Sequence, residues 1–203
     1  MRRIDQILFT LGRMGWIAVG LLAIAQEGWS NDARPAKMPL KSGRDIGQMV
    51  PSFYVRAVTG PLSNKSVCYV CRNGERPVVM VILRRLDPET TKLFKALDTL
   101  IDKNRATGLR GFAVLMNDDP KKVSPKLQTL AFNEKLALPL TVCTTVIAGP
   151  SSQSVHRDAA VTVVLYRKQH VVARLAFRRG EVSEDAVNRV VKQTKKLLDE
   201  DTQ

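Results

Sequence analysis

The sequence contains few of the residues that most often carry enzyme chemistry. Among its 203 residues there are three cysteines and two histidines, and aromatic residues make up only 5%. No glycine-rich phosphate-binding loop is present. So few aromatic residues also leave a single-stranded nucleic-acid site without its stacking platform. We therefore predict no cofactor, no bound metal and no specific nucleic-acid partner.

Acidic residues are also in short supply relative to basic ones. The chain carries 32 Lys and Arg against 19 Asp and Glu, which gives a net charge of +13. Such a charge attracts acidic partners in general without selecting one class of them. Apolar residues make up 44% of the chain, which is enough for the core of one domain of ordinary size.

The N-terminus has the three regions of a secretory signal. Arg2, Arg3 and Arg13 precede the ten-residue apolar run WIAVGLLAIA, which ends in the small-x-small pattern Ala-Ile-Ala at residues 23–25. A membrane span needs about 20 apolar residues, so a cleaved signal over residues 1–25 is favoured over an uncleaved anchor. Cleavage would remove three arginines and one aspartate, leaving +11. The expected location is extracytoplasmic, either periplasmic or secreted, with no membrane span after cleavage.

The remainder divides into a linker over residues 26–46 and one domain over residues 47–203. The linker is polar, aperiodic and rich in Pro and Gly. The domain alternates apolar runs typical of buried strands with amphipathic helical segments. Strands separated by helices need right-handed crossovers and predict a mainly parallel sheet. The predicted strands are FYVRAV, PVVMVIL, GFAVLM, LPLTVC, VTVVLY and HVVARLAF; the predicted helices begin near Pro88, at Ser124-Pro125 and after Ser183.

This order is that of the thioredoxin-like fold, an α/β fold with a central mixed sheet flanked by helices. From Gly47 onward the chain resembles the secreted thioredoxin-like, peroxiredoxin-related proteins of bacteria. The resemblance rests on GQMVPSFYV at residues 47–55 and on VTVVLYRKQHVVARLAFRRGEVSEDAVNRVV at residues 161–191. It implies a thiol–disulfide site and a protein thiol or disulfide as the partner.

The chain departs from that family at the place where its chemistry usually lies. In active thioredoxins a Cys-x-x-Cys follows the first central strand and opens the next helix, but here that segment is RRLDPE, residues 84–89, without cysteine. The loop facing it has Val161 where thioredoxins have a cis-proline. No Pro-x-x-x-Thr-x-x-Cys run of the peroxiredoxins is present either.

A Cys-x-x-Cys occurs instead before the first central strand, at Cys68 and Cys71. Two cysteines at this spacing can close a disulfide in a tight turn, and the nearby cations Lys65, Arg72 and Arg76 favour a thiolate. The sequence predicts that the pair lies on a loop, with no helix after it. Three interpretations stay open: a displaced redox-active dithiol, a structural disulfide in a non-catalytic binding module, and half of a zinc knuckle.

The remaining candidate site residues are the third cysteine and the two histidines. Cys143 lies in the apolar context PLTVCTT, which predicts a buried small side chain rather than a reactive thiol. A zinc site would need Cys143, His156 or His170 as further ligands, and their spacing does not bring them together. If the pair exchanges disulfides, the resemblance implies that Cys68 is the attacking sulfur and Cys71 the resolving one.

Overall fold

The computed structural model describes residues 38–144 and 146–199. Seven strands form one mixed sheet in the order β2-β1-β5-β4-β3-β6-β7. Strands β3, β4 and β5 run parallel, whereas β6 runs antiparallel to β3, and both the β6–β7 and the β1–β2 pairs are antiparallel. The strands are β1 Val55–Ala57, β2 Ser66–Val67, β3 Val78–Leu83, β4 Arg110–Met116, β5 Leu140–Cys143, β6 Val161–Arg167 and β7 His170–Phe177.

The two faces of the sheet are covered differently. One face packs against three long helices through side chains of alternate residues, such as Val79 and Val81 of β3. The other face buries Met80 and Ile82 of β3 beneath a short helix and long loops. All six residues of β3 are therefore buried, which confirms the predicted strand covered on both faces. The helices are α1 Tyr69–Asn73, α2 Pro88–Lys103, α3 Pro120–Asn133 and α4 Glu184–Asp199.

The predicted α/β thioredoxin-like architecture is confirmed by this topology. The hairpin between β6 and β7 turns through Lys168 and Gln169. Both turn residues have positive φ, 48° and 61°. That conformation matches the twist of a two-residue hairpin and is unusual for side chains other than glycine and asparagine.

The predicted start of α3 was wrong. The helix begins at Pro120, and Asp119 Oδ1 accepts a hydrogen bond from the Lys122 backbone N–H at 3.1 Å. Pro125 lies inside the helix rather than at its first turn. Proline was misleading here because Pro120 and Pro125 both look like helix starts, and the capping aspartate belongs to the first of them.

The predicted start of α2 near Pro88 is confirmed, because the helix runs from Pro88 to Lys103. Gly108 lies in the turn that follows the helix, with φ 92°. Asp87 occupies the N-cap position of α2, but its side chain makes no capping hydrogen bond. Its backbone carbonyl instead accepts from the Thr90 hydroxyl at 2.6 Å.

Part of the predicted linker packs against the domain. Ser42 is 1% exposed, and its hydroxyl lies 2.7 Å from the hydroxyl of Thr162 in β6. Arg174 of β7 donates to the Gly43 carbonyl at 2.6 Å and forms an ion pair with Asp45 at 2.6 Å. Residues 42–45 thus belong to the folded unit, which begins at Met38.

The predicted signal, residues 1–25, lies outside the described residues. Within residues 38–144 and 146–199, no helix combines the length and the apolar character needed to cross a bilayer.

Candidate functional site

The Cys-x-x-Cys opens a helix, contrary to the prediction of a loop. Cys68 follows β2 directly and is the N-cap of α1, with an extended backbone at φ −91° and ψ 96°. The helix is only five residues long and is followed by Gly74 at the C-cap, which has a positive φ of 56°. This helix could not be predicted from the sequence, because five residues are too few to show a helical period. Cysteine is also not among the residues that usually mark an N-cap.

Cys68 and Cys71 form a disulfide with their Cα atoms 5.4 Å apart, a separation in the usual range for disulfides. The two cysteines of the bond lie in different environments. Cys68 is 7% exposed, whereas Cys71 belongs to the exposed residues. The Cys71 backbone N–H also donates to Cys68 Sγ at 3.2 Å. The accessible half is therefore Cys71, and the half with a hydrogen-bond donor in place is Cys68.

The buried side of α1 fixes the disulfide to the sheet. Cys68, Tyr69 and Val70 belong to the hydrophobic cluster on the face opposite the long helices. The Tyr69 ring stacks on Phe112 of β4, with centroids 4.9 Å apart and an angle of 17° between the planes. Burial raises the pKa of the Tyr69 hydroxyl, and the positive charge of Arg72 opposes that shift.

The usual redox position of the fold, residues 84–89, lies at the other end of the central strand. It follows the carboxyl end of β3, whereas α1 precedes the amino end of β3. Six strand residues separate these two ends by about 20 Å. The Arg84 guanidinium here donates to the carbonyls of Val155 and His156 at 3.4 and 3.3 Å. This place therefore holds a hydrogen-bonded arginine instead of a dithiol.

The other chemistry-bearing side chains lie apart from the disulfide. Cys143 ends β5 and is 2% exposed, which confirms the prediction that it is buried. His156 Nδ1 accepts from the Asp158 backbone N–H at 3.1 Å, and His170 Nδ1 lies 2.8 Å from the Lys168 carbonyl. In the described part of the chain, no three His, Cys, Asp or Glu side chains are grouped so that they could hold a metal ion. The structure thus does not assemble the further ligands that the zinc-knuckle interpretation requires.

The structure also collects basic side chains that the sequence had shown only as scattered. Arg72 of α1 and Arg76 of the following turn line a cavity of about 290 Å³ together with Arg105 and Arg110. Burial lowers the pKa of Arg110, and the positive charges of Arg76 and Arg105 lower it further. This group could not be predicted from the sequence, because its members come from two distant stretches of the chain, residues 72–76 and 105–110, that only the fold brings together.

Comparison with known proteins supports the fold assignment. No protein-family model and no curated protein sequence matches the chain. Among solved structures, it is similar to a secreted Mycobacterium tuberculosis disulfide oxidoreductase homologous to E. coli DsbE, with a TM-score of 0.51 and 13% identity over 70% of this chain and 95% of the other. It is also similar to the peroxidoxin BcpB of the same organism, with a TM-score of 0.53 and 16% identity over 73% and 94%.

A third similar structure is a Chlorobium tepidum protein described as a DsbE-type thiol:disulfide interchange protein. Its TM-score is 0.56, with 13% identity over 76% of this chain and 98% of the other. These identities are low, so the similarity shows the thioredoxin-like fold and does not by itself transfer an activity.

Proposed function

We propose that the protein exchanges disulfides with a protein thiol or disulfide partner through Cys68 and Cys71. The observation that carries this proposal is the asymmetry of the bond. Its exposed half at Cys71 can be reached by a partner. Its buried half at Cys68 already accepts an N–H hydrogen bond that would stabilise a departing thiolate.

The reaction follows from that asymmetry. A partner thiolate attacks Cys71 Sγ, a new S–S bond forms, and the Cys68–Cys71 bond breaks with its electron pair leaving on Cys68 Sγ. A second partner thiolate then attacks the partner sulfur of the mixed disulfide and releases Cys71 as a thiolate. The protein gains two electrons and takes up two protons, while two partner thiols become one disulfide. Run in reverse, reduced Cys71 attacks a partner disulfide and Cys68 resolves the intermediate.

These roles invert the assignment that the family resemblance implies. In that assignment Cys68 attacks, because it is the first cysteine of the motif. Here Cys68 is 7% exposed and packed with Val70 against the sheet, so a partner sulfur cannot approach it in line. Accessibility selects Cys71 as the attacking sulfur, although hydrogen bonding favours the thiolate at Cys68.

The alternative function is a binding module in which the disulfide is structural. It is favoured by one specific observation: Cys68, Tyr69 and Val70 are all buried in the same apolar cluster, so the bond holds α1 on the sheet. A structural disulfide has a reduction potential below about −300 mV, whereas catalytic pairs lie between about −270 and −120 mV. The measured potential of the Cys68–Cys71 pair separates the two functions.

Trapping experiments test the assignment of roles. Reduced Cys68→Ser should accumulate a mixed disulfide with a disulfide-containing peptide, because Cys71 can attack but nothing resolves the product. Cys71→Ser should form little mixed disulfide. Cys143→Ser, the matched control, should turn over at the rate of the unmodified protein, since Cys143 is 2% exposed. Trapping only in Cys71→Ser would restore Cys68 as the attacking sulfur. The absence of trapping and turnover in every variant would favour the structural role.

We also propose that this exchange takes place outside the cytoplasm. The Arg-flanked apolar run and its small-x-small end support export, and an oxidising compartment is where a Cys-x-x-Cys remains a disulfide. N-terminal sequencing of the exported protein should begin at or near Gln26. Recovery of the full-length chain only from the cytoplasm would contradict this location.

A further inference from the structure

The cavity beside α1 is lined by several arginines, and neither the thioredoxin-like fold nor the disulfide explains why they are there. We call it the arginine pocket and define it by Arg72, Arg76, Arg105 and Arg110. Its one acidic lining residue is Asp98, whose carboxylate accepts from the Leu138 backbone N–H at 2.6 Å. Four arginines, of which Arg72, Arg76 and Arg105 are exposed, therefore line a cavity of about 290 Å³ that has a single, already hydrogen-bonded carboxylate.

The arginines have little local compensation. Among the described residues, Arg72, Arg76 and Arg110 form no ion pair within 4.0 Å, and Arg105 pairs only with exposed Asp102 at 3.5 Å. The Arg110 guanidinium donates to the carbonyls of Arg105 and Leu109 at 2.9 and 2.8 Å, which holds it in place. The positive charges of Arg76 and Arg105 act on Arg110, and an anion bound among them would relieve that repulsion.

A second observation comes from Tyr69, which lines the same pocket. Tyr69 is 6% exposed, and its buried hydroxyl has no hydrogen-bond partner among the described residues. A buried hydroxyl without a partner costs free energy. That hydroxyl has almost no accessible surface and does not open onto the cavity, so the neighbouring guanidinium of Arg72 is the group that would bind the ligand's charge.

The wall also includes the polar side chain of Asn73 and an apolar part formed by Leu62, Ile101, Leu138 and Pro139. A pocket lined by both guanidinium and aliphatic groups fits an anionic group attached to a small organic body. Forked guanidinium groups bind planar or tetrahedral oxyanions with paired hydrogen bonds. We propose that the arginine pocket binds a small organic dianion, either a phosphate monoester or a dicarboxylate.

Calorimetric titration of the full chain at fixed ionic strength tests this proposal with three probes of similar size: phenyl phosphate, phthalate and benzyl alcohol. One of the two dianions should bind with a Kd tighter than about 1 mM, and the neutral probe should not. The tighter dianion identifies the ligand as a phosphate monoester or a dicarboxylate. Failure of both dianions to bind, or equal binding of benzyl alcohol, would overturn the proposal.

Variants test whether the dianion binds in the arginine pocket. Arg76→Gln and Arg72→Gln should each weaken the tighter dianion about tenfold by removing a charge-assisted hydrogen bond. Arg157→Gln removes the same charge from a side chain that is 90% exposed and outside the pocket, so it should leave the affinity unchanged. Equal weakening by Arg157→Gln would show that only net charge attracts the probe, and the pocket would be rejected. None of these results depends on disulfide exchange.

Discussion

Reduction of the Cys68–Cys71 bond should destabilise the fold by an amount set by the short loop that it closes. The bond joins residues three apart, so the closed loop contains four residues. The chain-entropy relation for such a loop gives about 6 cal/mol/K, or about 2 kcal/mol at 25 °C. Since 1 kcal/mol shifts the melting temperature of a domain of this size by about 2–4 °C, reduction should lower it by about 4–8 °C.

The same free energy predicts a difference in reduction potential. In a two-electron couple 1.4 kcal/mol corresponds to about 30 mV, so the folded pair should be about 40 mV more reducing than the same pair in an unfolded chain. The reference is a peptide spanning residues 66–74, which carries the motif without the fold. Both potentials are measured by equilibration in one thiol–disulfide buffer series, with the reduced and oxidised forms separated chromatographically.

Two results would refute this reasoning. A difference above about 100 mV, equivalent to about 5 kcal/mol, would mean that the native packing of Cys68 and Val70 depends on the bond, as expected for a structural disulfide. A folded pair that is less reducing than the peptide would mean that the native state resists the bond. Cys143→Ser serves as the control and should leave the reduction potential of the folded pair unchanged, because Cys143 is not part of the disulfide.

Three further predictions concern the packing that supports the site. Val81→Ala should lower the free energy of unfolding by about 1–3 kcal/mol in urea titration, because the side chain is fully buried in the central strand. Gly111→Ala should cost about 1–3 kcal/mol, since its Cβ would lie 2.4 Å from Ile101 Cδ1, and adding Ile101→Val should restore part of the loss. Thr162→Val should cost about 1–3 kcal/mol by removing one of the two hydrogen bonds of the buried Ser42 hydroxyl, which keeps only the bond from the His156 backbone N–H, and proteolysis near residues 42–45 should accelerate. A Thr162→Val variant as stable as the parent would mean that this hydroxyl pair contributes nothing.

The central sheet could be predicted from the sequence because its signals are long and local. The run PVVMVIL contains six consecutive residues that are buried in the structure, and the helix after it shows apolar positions at regular spacing. Asp87, Pro88 and Glu89 mark its start, although the aspartate side chain does not cap it. Signals of this kind repeat over several turns or residues, so one misleading position does not change the assignment.

The short elements could not be predicted, because their cause lies in tertiary packing. β2 has two residues and pairs with β1 through Val55 and Val67, a contact that no local pattern reveals. α1 forms because Tyr69 stacks on Phe112 and Val70 is completely buried. Five residues of helix would not be stable in water without such packing.

The difference in exposure between the two cysteines also originates in tertiary packing, and it determines which sulfur a partner can reach. Sequence places Cys68 and Cys71 three residues apart with the same cationic neighbours, so nothing local tells them apart. In the fold, the N-cap of α1 lies against the sheet, so Cys68 is only 7% exposed. Cys71 lies in the first turn of the helix and is exposed. A partner that approaches Cys71 meets the surface near the amino end of β3, about 20 Å from the usual redox position. If exchange takes place here, the partner must recognise a different surface of this fold, because binding at residues 84–89 would leave its sulfur too far from Cys71 to react.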